Sequence, residues 1–260
     1  MSANRRAEQT EAICQAQDDE YAFPYYYVAR MPQPGFRQHF VDTWDINHIS
    51  TIEFLLGRIC AAASAFLIDI GCGGERLTRE IALGTGIARV CGVDHSARTI
   101  ALAQAMNQDL PQIEFRRERI AGGTGLGRFE AAVLMGVLEH IPPDEGPAFL
   151  GGARLLQSRG TLHLSLPHAN KPLEYKHFRH FTKGTLLACL KPDFDVVAVV
   201  PFERIGGIRR RLLERLLCNG DFILRHQGML DRAYRWCVRN LFQCDSEGDW
   251  QRLYVEAVAR

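Results

Sequence analysis

The stretch Ala65-Phe-Leu-Ile-Asp-Ile70, followed at once by Gly71-Cys-Gly-Gly74, decides how this chain folds. The short apolar run reads as a buried strand. The glycines where it stops read as a turn in which the backbone closely approaches a ligand and enters a helix. Arg76–Leu83 then carries a helical pattern. A helix that begins beside such a turn offers its unpaired N–H groups to a carboxylate or phosphate.

Working outward, Ala88-Arg-Val-Cys-Gly-Val93 reads as a second strand, and Ala97–Met106 as a helix with Ser96 at its N-cap. Ile113–Arg116, Ala131–Met135 and Gly160–Leu166 (ended by Pro167) read as further strands, with a helix over Asp144–Gln157. Phe194–Val200 and Leu253–Ala259 supply two more strands. Short apolar strands alternating with helices predict βαβ units and a doubly wound, mostly parallel sheet with helices on both faces.

Upstream, residues 1–20 are polar and expected to be frayed. Residues 21–64 form an expected cap: an aromatic cluster (Tyr21, Phe23, Tyr25, Tyr26, Tyr27) broken by Pro24, then Ile49, Ile52, Leu55, Leu56 and Ile59 at helical spacing. Residues 65–260 form the main domain, with a helical insertion at 204–249 before the last strand. In that insertion Ile205, Ile208, Leu212 and Leu216 make one stripe, and Leu230, Ala233, Tyr234, Cys237 and Leu241 another. Residues 204–239 hold nine Arg against Glu214, Asp221 and Asp231. That segment is either a solvated helical pair or an electropositive wall for an anionic or carrier-linked acceptor. Attachment to an anionic membrane is disfavoured, because packing claims the apolar stripes.

The whole chain of 260 residues is nearly neutral, with 31 Lys+Arg against 30 Asp+Glu. That balance argues against a nucleic-acid-coating protein. No run of about 18 uncharged apolar residues exists, so no spanning helix is expected. The polar N-terminus carries no signal segment and the eight cysteines include no C-x-x-C pair. Reduced, mostly buried thiols in a cytoplasmic protein are therefore expected.

The ligand chemistry follows from three positions. Asp94 ends the second strand, 21 residues after Gly73, where a carboxylate can accept both hydroxyls of a ribose. Arg76 stands where a dinucleotide fingerprint has its third glycine, and a P-loop lysine is absent. Asp69 beside the turn suits an ammonium or sulfonium better than a pyrophosphate.

These residues resemble the class I S-adenosylmethionine-dependent methyltransferases of the small-molecule type over roughly residues 65–200. Phe66–Gly73 is similar to the family's first motif, Val93-Asp94-His95-Ser96 to its ribose-binding strand end, and Phe129–Pro142, with Leu138-Glu139-His140, to its fourth-strand motif. The resemblance implies a Rossmann-like seven-stranded sheet with one antiparallel strand, and S-adenosylmethionine as cofactor. It places Asp69, Gly71, Cys72 and Gly73 at the methionine end, and Asp94 with His95 at the ribose. Glu118 falls at the adenine amino group and Met135 alongside the cofactor.

The implied reaction is O-methylation of a small molecule such as a sugar or natural-product intermediate, with nitrogen and carbon acceptors open. An inert cofactor-binding module and a nicotinamide-dependent oxidoreductase are the alternatives, the latter disfavoured by Arg76 and Asp69. A hydroxyl acceptor needs a base, and His140, His168 and His177 are the candidates near the expected sheet edge, while His163 inside a strand reads as a core histidine. Some relatives bind a divalent metal through Glu-x-x-Glu-His. Here Gly136 replaces the first glutamate, leaving only Glu139 and His140, so a metal-independent enzyme with no metal site is expected. The sequence leaves oligomeric state open.

Overall fold

A computed structural model describes residues 3–20, 43–61, 64–74, 76–120, 126–151, 155–204, 207–217, 226–242, 244 and 248–260. The expected aromatic cluster at 21–27 lies outside them. The chain opens with helices α1 (Ala3–Glu20) and α2 (Thr43–Ala61) and then alternates strand and helix. The alternating part comprises β1 (Phe66–Ile70), α3 (Arg76–Gly84), β2 (Arg89–Asp94), α4 (Ala97–Met106), β3 (Ile113–Arg117) and β4 (Phe129–Met135). After a single 3-10 turn, Leu138–His140, come α5 (Gly146–Gly151), β5 (Leu156–Pro167), α6 (Lys183–Leu190) and β6 (Phe194–Arg204). Helices α7 (Ile208–Leu217) and α8 (Gln227–Cys237), a π-helical turn Val238–Phe242 and β7 (Trp250–Ala259) complete it.

The seven strands form one sheet in the order β3-β2-β1-β4-β5-β7-β6. Strands β1 to β5 pair in parallel, while β7 lies antiparallel between β5 and β6. Side chains alternate across the sheet with period two. Leu67, Ala131 and Val133 face a core built with Ile52 and Leu55 of α2 and Leu77 and Ile81 of α3. Ile68, Ala132 and Leu134 face the opposite core, with Leu186 and Leu190 of α6. The doubly wound sheet covered on both faces is the expected one. Among the described residues no helix is long and apolar enough to cross a membrane.

Three expectations need correction. Where fraying is expected, residues 3–20 form α1, an eighteen-residue helix, built largely from good helix formers, that buries Ile13. Of the helix expected over 144–157, the described residues form α5, and Leu156 already belongs to β5. The third correction concerns α7, whose Ile208, Leu212 and Leu216 are 75%, 61% and 44% exposed rather than packed. The helix is rotated so that Leu213 packs against the α2–α8 cluster, and Arg210 pairs with Glu214 at 2.9 Å. The α8 stripe behaves as expected: Leu230, Tyr234, Cys237 and Leu241 are buried against Ile46 and Ile49. Arg232, Arg235 and Arg239 stay exposed.

Candidate active site

Strand order reverses direction between β1 and β4, the place where ligands bind in open parallel sheets. The turns after β1 and β4 meet there. Gly71, at φ +70°, has no room for a side chain, since a Cβ would sit 2.7 Å from Val137 Cγ2. Gly73 and Gly136 also have positive φ. The amides of Gly71 and Cys72 both donate to the Val93 carbonyl, at 2.8 and 3.0 Å, tying the first turn to the end of β2.

Asp94 stands at that junction. Its Oδ2 accepts from the Gly73 amide at 3.3 Å and its Oδ1 from the Ser96 amide at 2.9 Å. Its carbonyl accepts from the Glu118 amide at 2.9 Å. Ser96 in turn caps α4 through the Thr99 amide, as expected. One carboxylate thus holds the turns after β1 and β2 together.

A cavity opens at this edge, lined by Gly71, Gly73, Asp94, His95, Glu118 and His140 among the expected residues. Residues not anticipated from sequence complete it. Thr10, Cys14 and Gln17 of α1 form one wall, and Val137, Ile141, Pro142 and Phe149 contribute an apolar part. The apolar Ile13-Cys14 pair inside a polar run was the signal available for α1.

Asp69, Cys72 and Met135 do not line the cavity. The Asp69 carboxyl is buried and accepts from Thr78 Oγ1 at 2.6 Å, so it braces α3 from beneath the turn. Burial, reinforced by the charge of Asp94 and opposed by the Thr78 hydrogen bond, pushes it up to about 7. Cys72 packs against Ile100, Ala103 and Phe115, and burial holds its thiol well above the ordinary range. Met135 packs beside the α2–α3 core. Arg76 pairs with Glu80 at 2.7 Å.

The histidines divide in the same way. His140 lines the cavity, and its Nδ1 faces the Lys176 carbonyl at 3.1 Å. His168 does not; its ring packs on Trp250 at 3.9 Å and its Nδ1 accepts from the Asn170 amide. His177 is buried behind His140, with ring centroids 4.7 Å apart and edge-on. His163 is the expected core histidine, bonded to Tyr254 Oη at 2.8 Å. Glu139, His140 and His177 come together with one potential ligand atom from each within 4.8 Å of the others. The expectation of no metal site counted Glu139 and His140 alone, and the structure sets His177 beside them.

A methyltransferase-domain family model matches residues 67–160. The chain is 31% identical over 151 residues to an uncharacterised protein of Synechococcus, covering 56% of this chain and 34% of that one. It is 26% identical over 152 residues to the mitochondrial ubiquinone biosynthesis O-methyltransferase of Candida albicans, covering 57% and 43%. The chain thus spans well under half the length of these curated relatives. The N-methyltransferase NodS of Bradyrhizobium japonicum, solved with S-adenosyl-L-homocysteine, superposes with a TM-score of 0.60 at 14% identity, covering 95% of this chain and 98% of that one. The strand order is the fold of that solved methyltransferase, and residues 67–160, which carry the turns after β1, β2 and β4, match the methyltransferase-domain family.

Proposed function

We propose that this chain binds S-adenosylmethionine at the ends of β1, β2 and β4 and methylates a hydroxyl oxygen of a small molecule. The observation that carries the reading is Asp94, a cavity-lining carboxylate fixed by two backbone amides at the sheet's reversal point. The residues fit the cofactor. Gly71 and Gly73 turn the backbone at positive φ along the cavity for the methionine end, Asp94 serves the ribose, and Glu118 lies beyond it for the adenine. Asp69 acts through Thr78 and the turn rather than by contact. The bound cofactor supplies a methyl group on a sulfonium, already a good leaving group.

The protein's remaining task is to align the acceptor and receive its proton. The apolar wall of Ile141, Pro142 and Phe149, faced by α1, suits an acceptor of small size. His140 is the histidine among the three candidates that reaches the cavity. The Lys176 carbonyl can only accept, so His140 Nδ1 carries the hydrogen and Nε2 keeps a basic lone pair. The choice of oxygen draws on the O-methyltransferase named among the relatives. No residue of α7 or α8 lines the cavity, so the exposed arginines of α8 favour an anionic or carrier-linked acceptor by long-range attraction and not by contact.

Incubation with methyl-labelled S-adenosylmethionine and panels of hydroxylated, amine and carbon acceptors tests the proposal. Label transfer to oxygen, with release of S-adenosylhomocysteine, is expected. Cofactor binding without transfer to any acceptor would make the chain an inert binding module, and no binding at all would overturn the reading.

A further inference from the structure

Glu139 and His177 cluster with His140 at the edge of the cavity. Glu139 and His140 sit on the 3-10 turn after β4, and His177 comes from the loop between β5 and α6. The Phe178 amide donates to the Glu139 carbonyl at 2.8 Å and pins the two segments together.

Two carbonyls fix the protons on three imidazoles. Lys176 O assigns the hydrogen of His140 to Nδ1 and the lone pair to Nε2. Lys171 O, 3.0 Å from His180 Nδ1, does the same for His180. His180 Nε2 is then an acceptor, so His177 Nδ1 donates to it across 2.7 Å and His177 also keeps its lone pair on Nε2. Histidines that ligate metals are oriented in this way, the second ring nitrogen donating to a carbonyl or other outer partner. The third member is a carboxylate. Glu139 is 3% exposed, and its Oε2 is buried with no hydrogen-bond partner among the described residues. An unmet buried acceptor of this kind is costly unless something binds it.

We propose that Glu139, His140 and His177 form a binding site for a divalent cation of the zinc type, with one carboxylate and two imidazole ligands. The set differs from Glu-x-x-Glu-His because the third donor comes from a separate loop. Two imidazoles and one carboxylate suit a borderline cation and leave a fourth position open. Tetrahedral bonds of about 2.1 Å put ligand atoms about 3.4 Å apart. Atoms within 4.8 Å of one another need close by at most about 1.4 Å to reach that spacing. Since His140 borders the cavity, a bound cation would sit beside it; it would occupy the His140 Nε2 lone pair and, by acidifying a coordinated hydroxyl, would replace that imidazole in drawing off the acceptor's proton.

The site does not rest on the methyl-transfer reading, and its test is separate. The chelator-stripped full chain is titrated with Zn²⁺ by calorimetry and with Co²⁺ by visible absorption, for the parent, His177→Ala and Glu139→Gln. S-adenosylhomocysteine binding is measured in parallel as a check on the fold. One equivalent of metal is expected in the parent, with a tetrahedral cobalt spectrum, and affinity at least about tenfold weaker in each variant. No one-to-one complex in the parent, an octahedral aqua-like cobalt spectrum, or unchanged affinity in both variants overturns the site. If a variant unfolds, the parent's stoichiometry and cobalt spectrum decide alone. Failure to bind S-adenosylhomocysteine counts against the proposed function and leaves the metal result standing.

Discussion

Replacing Asp94 with alanine separates two roles that this carboxylate combines. It removes the acceptor for the Gly73 amide at 3.3 Å and for the Ser96 amide at 2.9 Å. Both bonds are only partly buried, so water recovers part of the loss, and about 1–2 kcal/mol of stability should go. For a domain of this size that is a drop in Tm of about 3–6 °C. Two ribose hydroxyls also lose a charged acceptor. At about 1.5–3 kcal/mol, S-adenosylhomocysteine should bind roughly 10- to 150-fold more weakly. Asp94→Asn keeps one carbonyl oxygen for the Ser96 amide and loses the charge. It should recover about half of the stability and less of the affinity. Calorimetry with S-adenosylhomocysteine and thermal denaturation read the two effects independently. A folded Asp94→Ala chain that binds within twofold of the parent would refute the ribose assignment, and an unchanged Tm would refute the bracing role.

Glu139 should make the metal-free chain sensitive to pH. Burial pushes its carboxyl from an ordinary 4.5 up to about 7, only partly offset by a backbone hydrogen bond and nearby Arg252 and Lys171. The unfolded chain ionises this group first as pH rises. Stability from the neutral buried form is therefore complete below about 4.5 and is lost by the time pH passes about 7, on the order of 3 kcal/mol in all. Urea titrations at pH 5 and pH 8 in the presence of chelator should show that loss in the parent and little of it in Glu139→Gln; parallel profiles would contradict it. The two stripes of the insertion should also respond differently. Ile208, Leu212 and Leu216 replaced together by Gln should change stability by less than about 1 kcal/mol, because they face solvent. Leu230→Ala should cost about 2–4 kcal/mol, because it is buried against α2. A large loss from the triple variant would mean that the α7 stripe packs after all.

The fold was legible because its signals were local. Ala97–Met106 with Ser96 as cap could be read to the residue, since capping and periodicity act within one helical turn. The burial that makes β1 and β4 central also made them continuous apolar runs. Where reading failed, the deciding contact was distant in sequence. A stripe at helical spacing states that a helix has an apolar face, and the partner decides whether that face is covered. For α8 the partner is α2, nearly two hundred residues earlier. For α7 Leu213 and the Arg210–Glu214 pair took the inward side, and a pattern of four apolar residues gave no sign of it.

The site divides along the same line, with one further physical distinction. Gly71, Gly73 and Asp94 were readable because backbone shape and a strand-end carboxylate constrain neighbouring positions in the chain. Charge alone suggests that Asp69 meets a cationic ligand, whereas in the structure its carboxyl is buried at 1% exposure, bonded to Thr78 and outside the cavity lining. The proposed metal site depends on distance in the same way. Counting ligands within Gly136–His140 gives two, and two rarely hold an ion. Coordination, however, is a property of atoms within a few ångströms. His177 joins the other two because the Phe178 amide is bound to Glu139 O, a contact across a loop that no spacing rule encodes. A sequence motif can report ligands carried by one segment. Its silence about a third ligand says nothing until the returning loop has been placed.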